Sequence, residues 1–317
     1  MTNFRDIANI LGNIHNADVM AYLGDVSRPE DDWLFRECKK RRKRKNIILL
    51  LTTRGGDPHV AYRISRCLQE AYKAEKPRDA SPAVAPTERG KFIILVPSKC
   101  KSAGTILALG ATEIWMTENA EFGPIDVQLR KPDEVGERTS GLTPIQAMGF
   151  LENQSLRMFK RHFSQLRFDQ DLLFSTKMAT EIATNVAVGL LSPIFSQIDP
   201  LRLAEVERSL RISAEYGERL GKENLKDGAL ERLIGQYPAH GFVIDRRESE
   251  EQIFKNINYP PDDTADLIDF FSKVERYYLD TDETFFFFLN DEPPERGDNG
   301  APPFEGAKET VKEPQDE

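Results

Sequence analysis

The chain has 317 residues, 39% of them hydrophobic, 30% charged and 9% aromatic, with a formal net charge of −9. These figures exclude a collagen, a disulfide scaffold and a fully disordered protein, and the length suffices for one large or two modest domains with a sizeable buried core. The charge is unevenly placed: residues 291–317 hold nine Asp or Glu against Arg296, Lys308 and Lys312, a balance of −6 that leaves −3 for the near-neutral body.

Cys38, Cys67 and Cys100 are an odd set, at spacings that match neither a zinc site nor a disulfide framework, which implies a reducing, intracellular setting. The N-terminus lacks a basic segment followed by an apolar one, and the longest aliphatic run, Ile47 to Leu51, is too short for a bilayer. The expected location is the cytoplasm, with no membrane contact and no cofactor.

Residues 5–14 carry helical spacing, and Val19 to Leu23 reads as a short buried strand ending at Gly24-Asp25. A polar segment follows, closing in seven consecutive basic residues from Lys39 to Lys45. No aromatic residues interleave with them as a stacking platform would require, so a solvated helix end or loop is favoured and no nucleic-acid partner is expected. Asn46 to Thr53 is a continuous apolar run, the pattern of a central strand buried on both faces, and it stops at Arg54-Gly55-Gly56. Asp57-Pro58 supplies an N-cap and a first-turn proline for a helix carrying Ala61, Ile64, Cys67, Leu68 and Ala71.

Residues 76–90 read as a connecting loop, and Lys91 to Pro97 as the next buried strand, which completes a right-handed parallel βαβ unit. A small-residue helix from Ser102 to Ala111, a strand from Glu113 to Met116 and an extended piece from Ile125 to Leu129 follow. From Thr143-Pro144 the pattern turns helical, through about His162. The apolar stretch from Ile182 to Phe195 is interrupted by Thr184, Asn185 and Ser192-Pro193, and reads as a core or oligomer-interface helix. A further helix spans about Pro200 to Gly221. Tyr237 to Asp245 reads as a loop leading into a short strand, Phe285 to Phe288 as a buried strand or helix edge, and residues 291–317 as a disordered acidic tail.

Two turns stand at the carboxyl ends of parallel strands, where ligand sites of open α/β sheets gather. The first, Arg54-Gly55-Gly56-Asp57, can aim backbone N–H groups at a bound atom, because consecutive glycines allow angles that other residues resist. The second, Ser98-Lys-Cys-Lys-Ser-Ala-Gly-Thr105, sets Ser102 at a helix N-terminus. Such a serine is either an N-cap or a nucleophile beside an oxyanion hole. Neither turn has the P-loop pattern, and no metal site is indicated.

The order of these pieces, with Glu113-Ile-Trp-Met and then Asn119-Ala-Glu-Phe-Gly-Pro-Ile-Asp126, resembles the Clp-fold serine peptidases over roughly residues 17–130. Within them it is most similar to the serine dehydrogenase proteinase family, relatives of the Clp protease and of signal peptide peptidase A. The resemblance implies an α/β fold with a Clp/crotonase-like repeated ββα core (1–135), a mainly helical region (136–290) and the acidic tail (291–317). It also implies a serine endopeptidase, active on a peptide or protein substrate, that forms a homo-oligomer. Ser102 aligns with the nucleophile, Gly56 and Ala103 with the two oxyanion-hole N–H donors, and Gly55 falls beside the substrate.

Two departures stand out. The first turn is Thr53-Arg54-Gly55-Gly56 where the Clp protease has Ser-Pro-Gly-Gly, and Ile125 and Asp126 occupy the stretch where that enzyme keeps its catalytic histidine. The base must therefore come from elsewhere. Lys101 is adjacent, and Lys160 would make a Ser-Lys dyad like that of signal peptide peptidase A. His240, in a loop between Pro238 and Asp245, is taken as the base, against a structural role bonded to backbone. Asp126 either orients that base or ties down its own turn. His15, His59 and His162 have no supporting context. A crotonase-like acyl-CoA enzyme and a catalytically degenerate scaffold are the alternatives.

Overall fold

The computed structural model describes residues 4–72, 89–125, 128–130, 138–140, 142–168, 174–281 and 283–290. The acidic tail and most of the 76–90 loop lie outside them. The chain forms two units, one drawn from Met1–Ile125 and Glu215–Glu317, the other from Asp126–Ala214.

The first unit begins with α1 (Phe4–Ile14), β1 (Ala17–Leu23), α2 (Glu30–Arg41), β2 (Asn46–Thr52), α3 (Pro58–Ala71), β3 (Phe92–Val96), β4 (Lys99–Cys100), α4 (Ala103–Leu109), β5 (Glu113–Met116) and β6 (Glu121–Phe122). The second contains the antiparallel pair β7 (Gln128–Arg130) and β8 (Arg138–Ser140), then α5 (Leu142–Phe168) and α6 (Thr176–Phe195). Helix α7 (Pro200–Leu220) runs across the division, after which β9 (Ile257–Asn258), α8 (Ala265–Asp280) and β10 (Phe285–Phe288) return to the first unit.

The main sheet has the order β10-β1-β2-β3-β5-β9, parallel except for β10. The fold is thus α/β around a parallel sheet, consistent with a Clp/crotonase-like core. The apolar runs read from the sequence are buried on both faces. Tyr22, Leu49, Ile94 and Met116 join the core beneath α2, α3 and α4, while Val19, Leu50, Leu95 and Trp115 join the core beneath α1 and α8. Asp57 caps α3 as its sequence suggests, its carboxylate accepting the His59 N–H at 2.7 Å.

Two features differ from the sequence expectations. The polar segment before the basic run is helical: α2 buries only Leu34 and Cys38 among its apolar residues, a seam too narrow to register as periodicity. Its acidic first turn and basic last turn complement the helix dipole. Beyond it, buried Asp18 accepts the Lys43 and Arg44 N–H groups at 3.0 and 3.2 Å, so the basic run ends in a turn tied to β1.

The second difference is the division of the chain. Residues 215–290 belong with the N-terminal sheet rather than with a helical region beginning at 136, because β9 pairs with β5 and β10 with β1. As read from the sequence, the apolar stretch from Ile182 to Phe195 is helical; it lies within α6, which continues through Thr184, Asn185 and Pro193. Helix α6 buries an i,i+4 seam of Ala179, Ala183, Ala187 and Leu191 and leaves Met178, Val188, Leu190 and Ile194 exposed. By length and composition alone it is long and apolar enough to cross a membrane.

At the carboxyl end of the sheet a second, short ladder forms. Val26 pairs with Gly56, Thr53 with Cys100, β4 with β6, and Phe122 with Ile244. These pairings place the two glycine- and serine-bearing turns side by side.

Candidate active site

Ser102 follows β4 and precedes α4, and its backbone sits at φ 52°, ψ −112°. A non-glycine residue with positive φ is strained, and such strain persists where the surroundings over-determine it, as at nucleophile turns between a strand and a helix. The hydroxyl does not cap α4, and Ser102 Oγ makes no hydrogen bond among the described residues. The sequence left cap and nucleophile open; the geometry removes the cap.

The turn is held from every side. Lys101 N–H donates to Thr53 O at 3.0 Å, and Thr53 N–H to Lys99 O at 2.8 Å. A Cβ on Gly104 would lie 2.4 Å from Thr53 Cγ2, so the glycine after Ala103 lets α4 start against β2. The buried Thr105 hydroxyl bonds Gly123 O at 2.8 Å, tying α4 to the segment after β6. Cys100 is fully buried, and burial pushes its thiol well above the ordinary range, so it is not a competing nucleophile.

The glycine turn faces Ser102 directly. Gly55 has φ +123°, and a Cβ there would meet Ser102 Cβ at 2.8 Å and Oγ at 3.3 Å. Its N–H donates to Thr53 Oγ1 at 3.0 Å and its carbonyl accepts Val26 N–H at 2.7 Å, so the Gly55 backbone is engaged. Gly56, at φ +140°, leaves no room for a Cβ against the Val26 carbonyl, and its N–H makes no hydrogen bond among the described residues. The Ala103 N–H, in the first turn of α4, is equally unengaged there. Two backbone donors thus stand open, one in each of two turns that pack together through Gly55 and Ser102.

Of the three base candidates, Lys101 is committed elsewhere. Its Nζ lies 3.2 Å from Glu121 Oε1 and donates to the carbonyls of Phe122 and Phe242, each at 3.2 Å. Lys160 is exposed on α5 in the other unit. His240 sits in a turn closed by the Phe242 N–H to Ala239 O bond at 3.1 Å, on the loop whose Phe242 carbonyl reaches Lys101. Asp245 is occupied as the N-cap of the following helical turn, accepting the Glu248 N–H at 2.7 Å. Asp126 lies outside the described residues. His15 pairs with Asp263 at 2.9 Å and His59 with the Tyr216 hydroxyl at 2.8 Å, both structural contacts.

Sequence reasoning missed the rim of the site. Arg54 reaches Asp280 at 2.7 Å, and Ser98 donates to Glu275 at 2.6 Å, which sets α8 beside both turns. The Arg54 guanidinium holds the Asp280 carboxyl below its ordinary value. No local signal announces these pairs, since their partners lie far apart in sequence.

No protein-family model matches the chain, and no curated protein matches it. Among solved structures it is similar to two forms of a membrane-bound stomatin-specific protease. One is a serine-to-alanine variant, 17% identical at a TM-score of 0.29, the match covering 54% of this chain and 69% of that one. The other is a lysine-to-alanine variant in complex with a substrate peptide, also 17% identical at a TM-score of 0.29, covering 53% and 71%.

Chemically, the arrangement offers an unbonded hydroxyl on a strained backbone and two open N–H donors, the parts needed to attack a carbonyl and hold the oxygen that becomes negative. Among the described residues no group of three or more His, Cys, Asp or Glu side chains is placed to hold a metal ion.

Proposed function

We propose that the chain is a serine peptidase of the serine dehydrogenase proteinase type that hydrolyses peptide bonds through an acyl-enzyme on Ser102. The observation that carries this reading is the positive-φ, uncapped Ser102 packed against Gly55. Ser102 Oγ attacks the carbonyl carbon and its proton passes to the base, assigned to His240. The oxyanion is held by the Gly56 and Ala103 N–H groups. Collapse expels the amine, protonated by His240; water then attacks the acyl-enzyme, losing its proton to the same base, and a second collapse breaks the ester, releasing the new carboxyl product as Ser102 Oγ takes its proton back from His240. His240 forms no hydrogen bond to Ser102 here, and such bonds commonly tighten only when substrate is bound. Asp126 is the residue assigned to orient the base. No cofactor enters this scheme. The substrate class is a peptide or protein, the active form a cytoplasmic homo-oligomer, and the exposed apolar residues of α6 supply a face for its contacts.

The unbonded Ser102 hydroxyl also supports a second reading, a degenerate scaffold that keeps the turn without the chemistry. A fluorophosphonate probe separates them. Labelling of the wild type that is lost in Ser102→Ala, with both proteins folded, supports the peptidase. Absence of labelling defeats it, and binding of a CoA thioester would then favour a crotonase-like enzyme. Full activity in His240→Ala would remove that residue as base.

A further inference from the structure

We propose that Lys101 is a positioning residue whose ammonium clamps the His240 loop onto the nucleophile turn, and that it is not the base. The proposal rests on the peptidase reading above. Three acceptors surround Lys101 Nζ at 3.2 Å: Glu121 Oε1, Phe122 O and Phe242 O. They match the three donors of an ammonium, and no hydrogen bond runs from Lys101 to Ser102.

The side chain reaches them by lying across Gly123, where a Cβ would stand 2.7 Å from Lys101 Cδ and 3.3 Å from its Cβ. A glycine at 123 therefore serves as the bed of the lysine stem. This gives Gly123-Pro124 a physical role that its sequence position alone did not.

The 237–244 loop is attached at both of its ends. At one end Tyr237 donates to Glu248 at 2.8 Å and its ring packs on Phe242, the centroids 5.0 Å apart. At the other end Ile244 exchanges backbone bonds with Phe122 at 2.9 and 3.1 Å. His240 lies between, in the Ala239–Phe242 turn, and the Lys101 bond to Phe242 O fixes the last residue of that turn. One side chain, adjacent in sequence to Ser102, thereby joins the nucleophile turn, the strand β6 and the loop that carries the base.

The test uses the full chain with Lys101→Met, which keeps the stem and removes the charge, Lys101→Arg, which can still donate to carbonyls, and Gly123→Ala, which crowds the stem. Lys101→Met is expected to slow fluorophosphonate labelling by about tenfold to a hundredfold without moving the pH midpoint of labelling. Deuterium exchange at the Phe242 and Ile244 amides should rise. Gly123→Ala should behave likewise, and Lys101→Arg should recover most of the rate.

Unchanged exchange across 237–245 in Lys101→Met would overturn the clamp. So would a Lys101→Met variant that loses the pH dependence of labelling and is not rescued by arginine, because that outcome makes Lys101 the base. If the wild type is not labelled at all, the peptidase reading fails, and the exchange measurement still decides the clamp.

Discussion

Gly55 stands so close to Ser102 that a single methyl group on it would lie 2.8 Å from the serine Cβ. The two turns that the sequence presents as separate loops are one packed unit. Gly55→Ala carries both a clash and an unfavourable φ of +123°, a combined cost of roughly 2–4 kcal/mol. Gly228 makes the control: its φ is +76°, yet nothing lies within 4 Å of a Cβ there. Gly228→Ala should lower stability by about 1 kcal/mol and leave probe labelling intact, whereas Gly55→Ala should depress labelling about tenfold or more. Equal labelling in the two variants would refute the packed arrangement.

Ser102 stores backbone strain, and glycine would release it. Relief of about 1–3 kcal/mol, reduced by the entropy that glycine loses on folding, leaves a net gain of about 1 kcal/mol for Ser102→Gly. Thermal unfolding should show a Tm a few degrees above wild type in a variant that no longer labels, while Ser102→Ala shows no such rise. A lower Tm for Ser102→Gly would mean that the turn is not strained.

Glu113 ties β5 to its neighbours. Burial raises its pKa, but hydrogen bonds from the Lys91 ammonium and the Trp115 indole N–H, each at 2.8 Å, outweigh it and leave the carboxyl below its ordinary 4.5. A lowered folded-state pKa contributes stability above pH 4.5 that is lost as pH falls through the folded value. In a Trp33→Phe background, Trp115 emission should therefore shift at a midpoint below 4.5, before global unfolding. Glu113→Gln should abolish that transition and flatten the acid side of the stability curve. A midpoint at or above 4.5 would contradict the assignment.

Truncation separates the tail from the fold. Removing residues 291–317 should leave folding and labelling unchanged. Removing residues 285–317 takes away β10 and with it buried Phe285, Phe288 and Leu289. Each of those side chains contributes about 2 kcal/mol by burial, so circular dichroism should report loss of cooperative unfolding. If the shorter deletion also abolishes the transition, the boundary at residue 290 is misplaced.

Much of this was legible in the sequence. The aliphatic runs at 46–53 and 91–97, the glycine turn and the Asp57-Pro58 cap are local patterns, and local patterns fix strands, turns and helix starts through periodicity and backbone preference. They also put Ser102 and the Gly55-Gly56 turn at the carboxyl ends of neighbouring strands, which is enough to nominate a site. The net charge of −9 likewise resolves, from sequence alone, into a near-neutral body and an acidic tail.

What the sequence could not decide involves residues far apart in the chain. Whether Ser102 caps a helix depends on its φ, set by the ladder from Thr53 to Cys100 and by the contact with Gly55. Whether Lys101 is a base, a surface charge or a clamp depends on the carbonyl of Phe242, 141 positions away. The return of β9 and β10 to the N-terminal sheet satisfies edge hydrogen bonds that no local window contains. Backbone preference acts over a few residues, whereas strand pairing and the satisfaction of buried donors act across the whole chain, and it is the second kind of interaction that turns two suggestive loops into one site.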